Sequence, residues 1–220
     1  MNTVEMTRNS PRTVAPRAPA GRLDAGQALR PGQYVWEHAV PPSIRIHLLF
    51  VPRQVLEVRI AIQRALGHDI RLSFGLCHDT VEFGELVGNG FDQPALHRKG
   101  FGTLAVNVAL QAIQSICPPT MRIEGVLSNV DEAHLPMGER QRLAESRRAF
   151  WRRFGVSVIE SQEGEDRLDG AVGDLRMVRN GTVGSLDARF VPLSAFHLWS
   201  PDNPLPEHRS KLSSSVTFDG

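Results

Sequence analysis

His97-Arg98-Lys99-Gly100-Phe101-Gly102-Thr103 joins a strand-like run to a long apolar run with helical spacing, and its reading decides the fold. Upstream, Val81-Glu82-Phe83-Gly84-Glu85-Leu86-Val87 alternates as a strand does, while downstream Leu104, Val108, Ala112 and Ile116 recur on one helical face. Strand, glycine turn and helix follow one another. Glycines at 100 and 102 let a backbone approach a ligand without an intervening Cβ, and the first free N–H groups of the helix point into the turn. Oriented amides and the positive end of the helix dipole hold an anionic group in such a place. The same residues also fit a plain strand-to-helix turn with no ligand. The pattern G-x-x-x-x-G-K-[ST] is absent, as is the third glycine of G-x-G-x-x-G, which argues against a P-loop NTPase or a dinucleotide-binding Rossmann domain.

A second segment lies downstream. Arg147-Arg148-Ala149-Phe150-Trp151-Arg152-Arg153-Phe154-Gly155-Val156 reads as the end of an amphipathic helix stopped by a glycine and followed directly by a strand. Between the two segments, Met121 to Asn129 forms another strand with polar residues at its end. In order and spacing the three segments resemble the GNAT superfamily of acyl-CoA-dependent N-acyltransferases. There a strand enters a [QR]-x-x-G-x-[GA] loop that takes the CoA pyrophosphate, and a later helix ends in an aromatic-rich element before the next strand. The resemblance covers about residues 70 to 192. His97 stands where the family has Gln or Arg, and Trp151 where many members have a tyrosine that protonates the leaving thiolate. Indole is only a hydrogen-bond donor and does not replace that acid.

The resemblance implies acetyl-CoA or another acyl-CoA as co-substrate, with direct transfer to an amine-bearing acceptor. The cofactor contacts it implies are His97, Arg98, Lys99, Gly100, Phe101, Gly102, Thr103, Asn129, Trp151 and Arg152. Many members carry a carboxylate base on the strand before the loop, which points to Glu85, with Glu82 in reserve. A spacing of three puts these two on opposite faces of a regular strand, so one of them is expected in the cleft. Either also fits a solvent-facing carboxylate. Ser128 is a further candidate, as a bond to the pantetheine arm or to a water, or simply as a turn residue. The arginines of the second helix fit a solvated face, with one or two reaching a CoA phosphate. Two other functions stay open: a CoA- or protein-binding module without catalysis, and a nucleic-acid accessory protein using the arginine-rich helix and the N-terminal arm.

The chain has 220 residues, 41% hydrophobic and 22% charged, which suits one ordinary core. A formal net charge of +1 gives no overall case for nucleic acid or an anionic membrane. Apolar runs such as Leu48-Leu49-Phe50-Val51 are too short to span a bilayer. No signal-peptide pattern opens the chain, and Cys77 and Cys117 lack C-x-x-C spacing, so a cytoplasmic location is expected. The histidines show no ligand spacing, so no metal site is expected, and no G-x-S-x-G suggests a serine hydrolase. Oligomeric state is left open, a homodimer included.

Residues 1–33, with several prolines and arginines and no apolar period, read as a disordered arm, and 200–220 as a mobile tail. The body over 34–199 reads as β, α, β, β, α, β, α, β, β. Ile44 to Phe50 and Ile70 to Leu76 alternate as strands. Residues 53 to 66 are expected to be helical, although Val58, Ile60 and Ile62 also fit a strand. Two closing strands are expected near 156–161 and 182–191. The fold class is α/β (α+β): a GNAT-like mixed, mostly antiparallel sheet with helices on both faces.

Overall fold

Ile44, Ile46, Leu48 and Phe50 place every second side chain on one face of a strand, and that face organises the whole core. The computed structural model describes residues 28–38, 43–62, 69–88, 99–128, 134–161, 165–178 and 190–199. In chain order they form β1 (Gly32–His38), β2 (Ile44–Val51), β3 (Val55–Ile62), β4 (Asp69–Leu76), β5 (Thr80–Val87), α1 (Phe101–Ile116), β6 (Arg122–Leu127), α2 (Met137–Arg152), β7 (Ser157–Ile159), β8 (Asp166–Ala171) and β9 (His197–Leu198). The strands make one sheet in the order β7-β8-β6-β5-β4-β3-β2-β1-β9. Every neighbouring pair is antiparallel except β5 and β6, which run parallel across the α1 connection.

Register turns the alternation into rows. Ile46 faces Ile60, Leu48 faces Val58, Leu56 faces Phe74 and Val58 faces Leu72, so apolar side chains line up across β2, β3 and β4. All of them are buried. The helix expected over 53–66 is instead β3. Leu56, Val58, Ile60 and Ile62 follow a period of two: Leu56 and Val58 find buried partners on both neighbouring strands, Ile60 faces buried Ile46 and half-buried Ile70, and Ile62 faces buried Ile44 on β2. Five strands therefore precede the glycine turn. Leu29 is buried as well, and β1 starts at Gly32, so the last residues of the segment read as an arm belong to the body. The expected strand near 182–191 lies mostly outside the described residues; β8 is the strand that pairs with β7.

Helix α1 is buried on nearly every side, from Leu104 through Ala112 and Ile113. One side packs on β3 and β4. Its polar stripe binds two extended segments: Asn107 exchanges hydrogen bonds of 2.8 and 2.9 Å with the carbonyl and amide of Val178, and Gln111 Nε2 donates to Val191 O at 2.9 Å. Gln114 Nε2 donates to Leu175 O at 2.9 Å.

Both described helices lie on one face of the sheet, which corrects the expectation of helices on both. Trp151 of α2 packs its ring 5.2 Å from Phe83, itself 4.6 Å from Phe74 on the core face. At the N-terminus of α1, a Cβ on Gly102 would sit 3.7 Å from Leu86 Cδ2 and 3.9 Å from Phe150 Cζ. The other face is polar. Arg45 pairs with Glu37, Glu57 with Arg59 and Arg71, and Arg122 with Asp169. Exposed pairs of this kind contribute about 0–1 kcal/mol each, so that face is solvated rather than held together by its charges.

Candidate functional site

The parallel pair is short. Strands β5 and β6 pair from Thr80–Arg122 to Phe83–Gly125, and neither Gly84 to Val87 on β5 nor Val126 and Leu127 on β6 continue that ladder. Backbone donors and acceptors on the facing edges are left without ladder partners among the described residues, and such groups require others. A bulge accompanies this opening. Leu72 faces Leu86 and Phe74 faces Phe83, so Gly84 and Glu85 together oppose Ser73 alone. Glycine is required there: a Cβ at 84 would lie 2.5 Å from Ser73 Oγ and 2.8 Å from its carbonyl oxygen.

The bulge also resets the parity of β5. Phe83 and Leu86, three apart, both face the helices, and Glu82 and Glu85, also three apart, both emerge exposed on the polar face. The expectation that these glutamates point to opposite faces is thereby corrected. Glu82 lies against Gly75 and accepts a contact from Cys77 Sγ at 3.5 Å, which holds that thiol above its usual pKa. No arginine among the described residues pairs with Glu82 or Glu85, whereas Glu37, Glu57, Glu124, Glu160, Asp166 and Asp169 each have one.

Above the opening, Gly100 caps α1 in the left-handed region at φ 91°, with no side-chain cap and no acidic residue in the first turn. The first helical bond runs from Leu104 N to Gly100 O at 2.9 Å, so the amides of Phe101, Gly102 and Thr103 have no partner within the helix. Phe101 and Thr103 turn their side chains into the core, at 3% and 5% exposure. Any contact they make with a ligand is through the backbone. Lys99 is exposed beside them, and Ser128 is exposed just past the end of β6. His97, Arg98 and Asn129 lie outside the described residues.

Two expected cofactor contacts have other work. Trp151 is 4% exposed and wedged edge-on against Phe83 and Phe150, which makes it a core residue. Arg152 donates to Glu160 at 2.8 Å. Its neighbour Arg148 bonds both oxygens of Asp166, at 2.6 and 3.0 Å, and Glu160 at 2.9 Å, tying α2 to β8. Burial pushes the Asp166 carboxyl up, but the Arg148 guanidinium and the Ser161 amide outweigh it and hold the group below the usual carboxylate range. No group of His, Cys, Asp and Glu among the described residues could hold a metal, and no described helix is long and apolar enough to cross a membrane.

The turn at 99–103, the opening and Glu85 thus gather at the carboxyl ends of the parallel pair, where open α/β sheets bind ligands, while Glu82 lies within the closed part of the ladder opposite Glu124. Sequence reading missed the bulge; an isolated glycine inside a strand pattern, Gly84, was its signal. No protein-family model, curated protein or solved structure matches the chain.

Proposed function

We propose that this chain is an acyl-CoA-dependent N-acyltransferase of the GNAT type, which takes acetyl-CoA or a related thioester and transfers the acyl group directly to an amine. The observation that carries the reading is the opening between β5 and β6, roofed by the uncapped amino end of α1. An anionic group such as a pyrophosphate suits the free amides of residues 101–103. An extended arm bearing amides suits strand edges whose ladder has stopped. The exposure of Glu85 at the bulge beside that gap supports it as the group that takes a proton from the attacking amine, with Glu82 as the alternative. The burial of Trp151 removes it as an acid, so the departing thiolate is protonated by solvent or by another group.

Binding without catalysis is the second reading, and the core position of Trp151 is what favours it. Of the arginines on α2, Arg148 and Arg152 are engaged by carboxylates, which takes these two away from a nucleic-acid role. Calorimetric titration with acetyl-CoA, desulfo-CoA and ATP tests the proposal. Both CoA compounds are expected to bind more tightly than ATP, and Gly100→Glu to abolish binding while Gly100→Ala, which carries the same backbone strain without the charge, folds and retains more of it. Absence of binding at millimolar CoA to the folded wild-type chain contradicts the proposal.

A further inference from the structure

We infer that Arg148 and Asp166 are positioning residues of the cofactor opening, through which one turn of α2 sets the separation of the two strands that the ladder no longer joins. The inference rests on the acyl-CoA reading and adds to it the device that keeps the cleft at a fixed width. Past Phe83 and Gly125 the β5/β6 ladder stops, so Gly84 to Val87 and Val126 to Leu127 are not held to each other by ladder bonds. A group that touches both sides then governs the distance between them. Residues 148 to 151 of α2 do so.

On the β5 side the contacts are apolar. The Trp151 ring lies 5.2 Å from that of Phe83, and Phe150 Cζ is 3.9 Å from where a Cβ on Gly102 would stand, at the amino end of α1. On the β6 side the contact is ionic. Leu127, the last residue of β6, is the register partner of Asp166 on β8, and both are buried. Arg148 bonds the two oxygens of Asp166 at 2.6 and 3.0 Å, and the Ser161 amide donates to the same carboxylate at 3.1 Å. Apolar packing is non-directional and lets a helix slide or roll, whereas a bidentate guanidinium–carboxylate pair fixes both distance and orientation. Buried pairs of this kind are often no more stabilising than apolar residues of the same volume, and setting registry is their best-attested use.

The two ends of the cofactor depend on this pair differently. The pyrophosphate end suits the amides at the start of α1, which lie on the β5 side alone. The pantetheine arm runs between the strand edges and is sensitive to their separation. Arg152, one turn beyond Arg148, bonds only the exposed Glu160, so its loss leaves the buried pair intact.

The test is calorimetry of the full chain with two ligands: desulfo-CoA, and 3′-phosphoadenosine 5′-diphosphate, which is the nucleotide end of CoA without the pantetheine arm. Wild type is compared with Arg148→Met plus Asp166→Asn, with Arg148→Lys and with Arg152→Gln, each checked for folding by circular dichroism. The double variant removes both charges together and keeps an acceptor for the Ser161 amide. The expected result is a rise in desulfo-CoA Kd of about tenfold in the double variant and of less in Arg148→Lys, with the Kd of the nucleotide end within about twofold of wild type in both, and no change for either ligand in Arg152→Gln. Equal losses for the two ligands, unchanged desulfo-CoA affinity, or an equal effect of Arg152→Gln overturns the positioning role and leaves the cofactor reading in place. If the double variant does not fold, Arg148→Lys decides by the same comparison. Absence of desulfo-CoA binding to the wild-type chain overturns both.

Discussion

Gly84→Ala is the substitution whose effect follows most directly from the geometry. The added Cβ would sit 2.5 Å from Ser73 Oγ and 2.8 Å from the Ser73 carbonyl oxygen. The hydroxyl can rotate away, but the carbonyl is fixed by the strand. Strands β4 and β5 must then part by several tenths of an ångström at the bulge, or the bulge must relocate. Overpacking of this kind costs about 1–3 kcal/mol. For a domain of this size each kcal/mol shifts Tm by about 2–4 °C, so Gly84→Ala is expected to melt about 2–12 °C below wild type. Ser73→Ala in the same chain removes only the hydroxyl, leaves the contact with the carbonyl oxygen and restores only part of the loss. Thermal and urea unfolding followed by far-ultraviolet circular dichroism gives both numbers. Because the bulge accompanies the opening of the β5/β6 ladder, desulfo-CoA affinity is expected to fall as well. A Tm within about 1 °C of wild type, the range of neutral surface changes, refutes the requirement for glycine at 84.

Three further outcomes follow from named contacts. Asp166→Asn is expected to lose about 1.5–3 kcal/mol at pH 7, the range for hydrogen bonds to charged groups. Because the folded carboxyl titrates below its unfolded value, this stabilisation is present above about pH 4 and lost as pH falls through the folded pKa; urea midpoints of the two chains should therefore converge in acid. Asn107→Leu strands both the amide and the carbonyl of Val178 in the core, with an expected loss of about 2–5 kcal/mol and faster hydrogen exchange at the Val178 amide. Glu85→Gln is expected to slow single-turnover acyl transfer at saturating acetyl-CoA by about 100-fold with little change in acetyl-CoA Kd, and Glu82→Gln by much less. Equal losses in both variants would count against Glu85 as the base.

Much of the fold could be read from residue order because period and burial agree in it. Ile44 to Phe50 alternates cleanly and becomes β2, and Leu104 to Ile116 repeats at helical spacing and becomes α1. Residues 55–62 carry the same alternation as β2, yet Arg64 and Gly67 mimic a helix end; pairing with β2 and β4 decides in favour of a strand. Strand β8 carries a single buried aliphatic residue, Leu168, and is defined by its partners β6 and β7. At the site, the glycine turn was legible because Gly100 needs its positive φ, a local property. The face taken by Glu85 was not, because one extra residue in the bulge inverts the parity that spacing assumes. The fates of Trp151 and Arg152 depended on Phe83 and Glu160, partners distant in the sequence.

The central claim is that the amino end of α1 and the open edge of β5 form one cofactor site. Titration of isotope-labelled chain with desulfo-CoA, followed by amide resonances, tests it most directly. The backbone signals of Phe101, Gly102 and Thr103 and those of Gly84 to Val87 are expected to shift together along one saturable curve, while amides of β1 and β2 stay in place. Saturable shifts confined to other parts of the chain, or none at millimolar ligand, contradict it.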